Sequence, residues 1–209
     1  MCSDVARTQL KNELFQRLEP LGLQQALFPS ADRLSEHTAI AQLIQQLEAL
    51  NPISHPLHTQ HLPTLLGNWQ LVYASRGTVV TRGLASFSKS LWNGLTIQQI
   101  WQTLTNGSDR TLAAENGAVL TVPWLGTWKL QANGVWRWET DEQLATVTFG
   151  AFTMQAMNLW EHPSWNLPAL TVPVLEAFRN EALWTTSYLD ADLRMGKGAT
   201  GNLFVFRRT

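Results

Sequence analysis

The most concentrated chemistry in the chain is Asp190-x-Asp192-x-Arg194, two carboxylates two residues apart with a guanidinium beyond them. On a strand, positions i and i+2 project from one face, where such a pair could hold a hard cation or be poised as an acid. Lys197 follows closely, so a salt-bridge network of the aspartates with Arg194 and Lys197 accounts for the same residues without catalysis and is the preferred assignment. The next stretch, Gly198-Ala-Thr-Gly201, is too short and isolated for a phosphate loop and reads as a turn between the last two strands. His55, His58 and His61 have a spacing that suggests metal ligation. Pro56 and Pro63 break any helix that would align them, and no local Cys or carboxylate completes a set, so a solvated linker is expected. Ser75 lacks a G-x-S-x-G setting and Cys2 sits at a frayed terminus, so neither is a nucleophile. No catalytic residue, metal site or cofactor is assigned.

The elements that position these groups fall into two regimes. All ten tryptophans lie after Gly67, at 69, 92, 101, 124, 128, 136, 138, 160, 165 and 184. Before that point the apolar period is helical: Leu10, Leu14, Leu18 and Leu21 with Phe15 beside them, then Ile40, Leu43, Ile44, Leu47 and Leu50. Two amphipathic helices are expected, the second capped by Ser30 and ended at Asn51-Pro52, because proline disfavours helix in the residue before it. Their polar faces balance Arg7, Lys11 and Arg17 against Glu13 and Glu19, which suits burial against the parent domain better than docking on a partner helix or a membrane.

After Gly67 the period becomes two. Trp69, Leu71 and Tyr73 alternate with Gln70 and Val72, as in a strand with one buried face. Further strands are expected at 96–104, 119–122, 127–131, 135–139, 145–153, 183–189 and 203–207. Asn116-Gly117 and Asn133-Gly134 are expected to be hairpin turns, since a type I′ turn needs positive φ at both central residues. A two-residue loop at the second would set Trp136 opposite Gln131 and Trp138 opposite Lys129. The expected fold is mainly β with N-terminal α, an antiparallel up-and-down barrel preceded by two helices. The domain limits are a helical extension over 1–60 and a barrel over 61–209. Arg76 to Lys89, with three bases and no acid, would loop over the barrel mouth, solvated or in contact with lipid headgroups or a diphosphate.

Composition narrows the function classes. With 209 residues and 44% hydrophobic content, the chain suffices for one globular domain with a helical extension. A formal net charge of −1 is unsuited to a nucleic-acid surface. The single cysteine forms no internal disulfide. No apolar run reaches the roughly 18 residues of a membrane helix and no secretory h-region is seen, so a soluble or peripherally attached, cytoplasmic protein is expected.

Two blocks carry a family likeness. Tyr188-Leu-Asp-x-Asp-Leu-Arg194, then Lys197, Gly198, Gly201 and the strand Leu203 to Phe206, resembles the closing signature of the plastid lipid-associated proteins, the PAP/fibrillin family. Asn51-Pro52 and Leu65-Leu-Gly-x-Trp-x-Leu-x-Tyr-x-Ser75 resemble its helix exit and first barrel strand, while residues 90–180 match loosely. The resemblance implies a lipocalin-like barrel of cyanobacterial type, or a processed plastid protein. Gly67-x-Trp69 would open the first strand, with the Trp closing the floor under Arg207 or Arg208, a contact of about 0.5 to 2 kcal/mol. Tyr188, Asp190, Asp192 and Arg194 would then serve fold closure rather than catalysis.

Tryptophan abundance frames the function. A buried Trp covers about 150 to 250 Å², worth about 4 to 6 kcal/mol of gross transfer free energy, and a domain this size does not need ten. Trp101, Trp128, Trp136, Trp138, Phe149 and Trp184 are candidates to line an interior that holds side chains or one small ligand; a solid core is the alternative. The resemblance implies a non-enzymatic binder of a prenylquinone, carotenoid or fatty acid, in peripheral contact with thylakoid membrane or lipid bodies. The alternative is a scaffold at lipid surfaces or for a lipid-biosynthetic enzyme. A bilin chromophore lyase shares the barrel type but finds no catalytic set here.

Overall fold

The computed structural model describes residues 2–27, 33–75, 94–158, 169–173 and 181–209. Ser30, the stretch from Arg76 to Lys89, Trp92, Trp160 and Trp165 lie outside the described residues. Helix α1 spans Cys2–Leu18 and continues through a 3-10 turn, Glu19–Leu21, into the short α2, Gly22–Leu27. Helix α3 covers Leu34–Ala49, and the single turn α4, Leu62–Leu65, leads into the strands. Arg33, not Ser30, occupies the N-cap position of α3, and no side chain caps that end. At the other end Asn51 stabilises the exit. Its Nδ2 donates to the Ile53 carbonyl at 2.8 Å, and its Oδ1 accepts from the amides of Ile53 and, across the fold, Leu189 at 3.1 Å.

Nine strands are found among the described residues: β1 Gly67–Ala74, β2 Thr96–Asn106, β3 Thr111–Val122, β4 Gly126–Arg137, β5 Leu144–Asn158, β6 Leu170–Pro173, β7 Ala182–Leu189, β8 Leu193–Gly198 and β9 Leu203–Arg208. They form one antiparallel sheet in the order β4-β3-β2-β1-β9-β8-β7-β5-β6. Strand β4 also pairs with β5 along nearly its whole length. The free edge of β5 is divided, with Leu144 to Val147 pairing with β7 and Ala151 to Met154 with β6. Following hydrogen-bonded neighbours from β1 through β5, then β7, β8 and β9, therefore leads back to β1.

Both Asn-Gly dipeptides lie inside strands, not at turns. Asn116 and Gly117 sit in the middle of β3, opposite Gln102 and Trp101 on one side and Ala132 and Gln131 on the other. A Cβ on residue 117 would lie 2.0 Å from the Trp101 ring, so glycine is needed there for close approach. Gly134 occupies a bulge of β4 against β5. Trp136 consequently stands opposite Leu112 and Val147 rather than Gln131, and the Trp138 amide donates to the Arg110 carbonyl instead of meeting Lys129. The real reversals use Arg110 (φ +48°) between β2 and β3 and Trp124 (φ +67°) between β3 and β4.

Two cores share the sheet. On its outer side, Leu14 and Leu18 of α1 and Ile40, Ile44 and Leu47 of α3 pack against Tyr188, Leu193, Met195, Leu203 and Val205. Each such side chain removed from water contributes about 2 kcal/mol gross. A register shift between Leu71 and Tyr73 turns Tyr73 to this helix layer, so it does not share a face with Trp69 and Leu71. Inside, Trp69, Leu104, Leu112, Trp136, Leu189 and Phe206 belong to the second core. Helix α2 joins it through a gap: β1 and β2 pair only over Gly67 to Gln70, and beyond that point the Gln24 amide accepts from Ile97 N–H and donates to Leu95 C=O. A side-chain amide thus substitutes for a missing stretch of neighbouring strand.

Candidate functional site

At the end of the sheet where β1 begins and β9 finishes, Trp69 is completely buried and donates its indole N–H to the Leu65 carbonyl at 2.8 Å. Its cross-strand neighbour Arg208 lays a guanidinium 4.1 Å from the ring centroid. Arg208 also donates to the carbonyls of Leu66 (2.8 Å), Thr64 and Ala191, tying α4 and the β7–β8 turn to the end of β9. Gly67 has φ +120°, and a Cβ there would meet Arg208 Nη1 at 2.6 Å. Arg207 points the other way, 5.1 Å from the Phe15 ring on α1.

A second guanidinium reaches Trp69 from within. Arg194 of β8 is fully buried, with its Cζ 5.1 Å from Trp69, 5.7 Å from Trp136 and 4.4 Å from Phe206. Burial, and then the like charge of Arg208, lowers its pKa to about 9, which leaves it charged at neutral pH. Its Nη2 donates to Gln102 Oε1 at 2.6 Å, and Gln102 Nε2 donates to Asn116 Oδ1 at 2.7 Å. The network expected between Arg194 and the aspartates is therefore absent.

The aspartates are not on a strand face either. Asp190, Ala191 and Asp192 form the tight turn between β7 and β8. Lys11 of α1 bridges both carboxylates, at 2.9 Å for Asp190, while Lys197 pairs instead with Glu48 of α3 at 2.8 Å. Asp190 Oδ1 accepts the amides of Asp192 and Leu193, and its Oδ2 accepts the Tyr188 hydroxyl at 2.6 Å. Burial opposes ionisation of Asp190, but these donors outweigh it and hold the carboxyl at about 2. The Tyr188 hydroxyl is driven strongly upward by burial and then by Asp190. The arrangement fastens α1 to the sheet.

The aromatic candidates divide by face. Trp136 and Trp138 are buried in the interior core, and Trp128, Phe149 and Trp184 are half-buried against it. Trp136 and Trp184 stand 5.6 Å apart, Trp184 and Phe204 5.4 Å, and Phe149 and Phe152 6.5 Å. Trp101 is elsewhere. Ile100, Gln102 and Leu104 alternate with it, and it lies over Gly117 on the outer face with Lys129 Nζ 5.7 Å from its ring. Burial along the interior is uneven: Trp69 and Trp136 are sealed, and near the start of β4 Trp128 and Leu130 are half-buried and Met154, the partner of Leu130, is 39% exposed, while the neighbouring Leu120, Ile97 and Ala156 stay buried.

The family model PAP_fibrillin matches residues 8–207. The chain belongs to the PAP_fibrillin family. This is a lipid-associated family. Comparison with curated proteins and with solved structures gives no match.

In this PAP_fibrillin chain, the sequence does not mark Gln102, Asn116, Phe204 or Phe206 as site residues: Asn116 is expected in a hairpin turn, and Phe204 and Phe206 only as part of the last strand. Gln102 and Asn116 were detectable in principle, as polar residues in phase with apolar ones on strands. Arg194 has no acceptor atom, so Gln102 must turn its oxygen to it and its nitrogen to Asn116. That fixes the polarity of the chain and leaves Asn116 Nδ2 without a partner, together with Arg194 Nε and Nη1 and Trp136 Nε1. Such groups cost about 1 to 3 kcal/mol each when buried and unpaired. Among the described residues no group of His, Cys, Asp and Glu could hold a metal ion, and His61 Nδ1 bonds to the His55 carbonyl at 2.8 Å. No described helix is long and apolar enough to cross a membrane.

Proposed function

We propose that this PAP_fibrillin protein is a non-enzymatic binder or carrier of a small lipophilic metabolite of the prenylquinone, carotenoid or fatty-acid class, held inside a lipocalin-like barrel. The observation that carries the reading is the incomplete burial of aromatic and apolar side chains packed against the interior core on β4, β5 and β7. Trp69 and Trp136 are sealed, while Trp128, Leu130, Phe149, Trp184 and Met154 keep partial exposure. Small residues at Ala114, Ala118, Ala132 and Gly134 on β3 and β4 supply a low wall for those flat aromatic faces to oppose. Family membership supports a lipid-associated role.

A second reading has its own support. Trp124 is 90% exposed at the β3–β4 turn beside Leu125, and Leu170 is 60% exposed, so contact with a thylakoid membrane or lipid body would cover apolar surface. The test is mass spectrometry of an organic extract of the protein purified from a photosynthetic host. A stoichiometric lipophile that is lost in Trp184→Ala and kept in the outer-face control Trp101→Ala is the expected result. A clean extract from folded protein would overturn the carrier reading and leave the scaffold.

A further inference from the structure

The interior polar cluster is one-sided: every unpartnered atom in it, Arg194 Nε and Nη1, Asn116 Nδ2 and Trp136 Nε1, is a donor. Arg194 is fully buried and has no carboxylate against it; Asp190 and Asp192 are engaged by Lys11 in the turn outside, and Gln102 supplies a single neutral oxygen. The rings of Trp69, Trp136 and Phe206 face the charge but accept no strong hydrogen bond. What is missing is an acceptor without donors, carrying one negative charge. A carboxylate has two oxygens, about four lone-pair sites and no N–H or O–H when ionised. Its single charge matches the single buried guanidinium, which a dianionic phosphate would exceed.

We propose that Arg194, Asn116 and Trp136 form the head-group site of the interior, and that the ligand is a long-chain carboxylate held head-down, with its apolar tail toward Trp128 and Met154. This rests on the carrier reading and narrows it, since a hydrocarbon carotenoid would leave all four donors unpaired. The polarity of the Arg194–Gln102–Asn116 chain is part of the site, because it aims the Asn116 amide nitrogen away from Gln102.

The experiment uses the delipidated full chain and three probes that share one hydrocarbon chain: oleic acid, its methyl ester, and the parent hydrocarbon. Binding is read by tryptophan quenching at pH 8. The wild-type protein is expected to prefer the acid to the ester at least 10-fold. Arg194→Met should erase that preference while retaining ester binding, and Asn116→Leu, which leaves the buried charge in place, should reduce it several-fold. Equal affinity for acid and ester in the wild type, or an undiminished preference in Asn116→Leu, overturns the proposal even if Arg194→Met does not fold. If acid and ester bind equally, the carrier reading survives; if none of the three probes binds, both fall.

Discussion

Replacing Asp190 by Asn separates the two things its carboxylate does. Oδ1 accepts the amides of Asp192 and Leu193, and an asparagine oxygen would keep both bonds. Oδ2 accepts Tyr188 and Lys11, and there the substitution sets an NH2 donor against an ammonium that can only donate. The turn should therefore survive and the attachment of α1 should weaken. Asp190 is held at about 2 against an ordinary 3.8. Close to two pH units of depression amount to about 2 kcal/mol favouring the fold. Because the folded value is the lower one, this stabilisation is complete above 3.8 and drains away as pH falls from there through about 2. Integrated, about half of it has gone at pH 3.

Urea unfolding of wild type and Asp190→Asn at pH 7 and pH 3 measures this directly. The expected destabilisation is about 2 to 3 kcal/mol at pH 7, shrinking by about 1 kcal/mol at pH 3. Lys11→Met should cost less by itself, and the double variant should fall short of additivity by about 1 kcal/mol because both changes remove one contact. A difference that is unchanged between the two pH values, or below about 0.5 kcal/mol at pH 7, would refute the assignment of the signature aspartate to helix attachment.

Two further substitutions test the fold around the site. Gly117→Ala drives a methyl into the Trp101 ring and should cost about 1 to 3 kcal/mol in urea unfolding; in a Trp101→Ala background the cost should largely vanish, and its persistence would point to backbone strain instead. Arg208→Lys keeps the charge but loses the planar stack on Trp69 and the fork that reaches three carbonyls, so a loss of about 2 to 3 kcal/mol is expected, against near neutrality for Arg207→Lys.

The sequence was legible where a residue's role is set by its own period. The leucines of α1 and the isoleucines of α3 repeat at helical spacing and are buried as that spacing requires. It was misleading where glycine answered a neighbour rather than a turn. Asn116-Gly117 has the composition of a hairpin, yet its glycine exists because Trp101, sixteen residues earlier, lies across it. Conversely, the true turns place Arg110 and Trp124 at positive φ, residue types that carry no turn signal. Register shifts were invisible for a similar reason: the period of two survives on either side of the Leu71/Tyr73 bulge, but the face it refers to changes. Asp190 and Asp192 looked like strand neighbours of Arg194 because the two-residue spacing is blind to a reversal of the chain between them.

Two arginines approach one tryptophan, and the difference between them separates architecture from site. Arg208 stacks at 4.1 Å and gives its N–H groups to three backbone carbonyls, so its hydrogen-bonding capacity is matched by the fold that holds it. Arg194 is more deeply buried, charged at neutral pH, and has one acceptor for its five N–H groups. If packing at this end of the sheet were its whole role, a Met would pack against Trp69, Trp136 and Phe206 without the desolvation cost of the charge. Nothing in the stack requires a cation on both sides. On the proposed reading, a carboxylate entering the interior would complete the pairing of that charge.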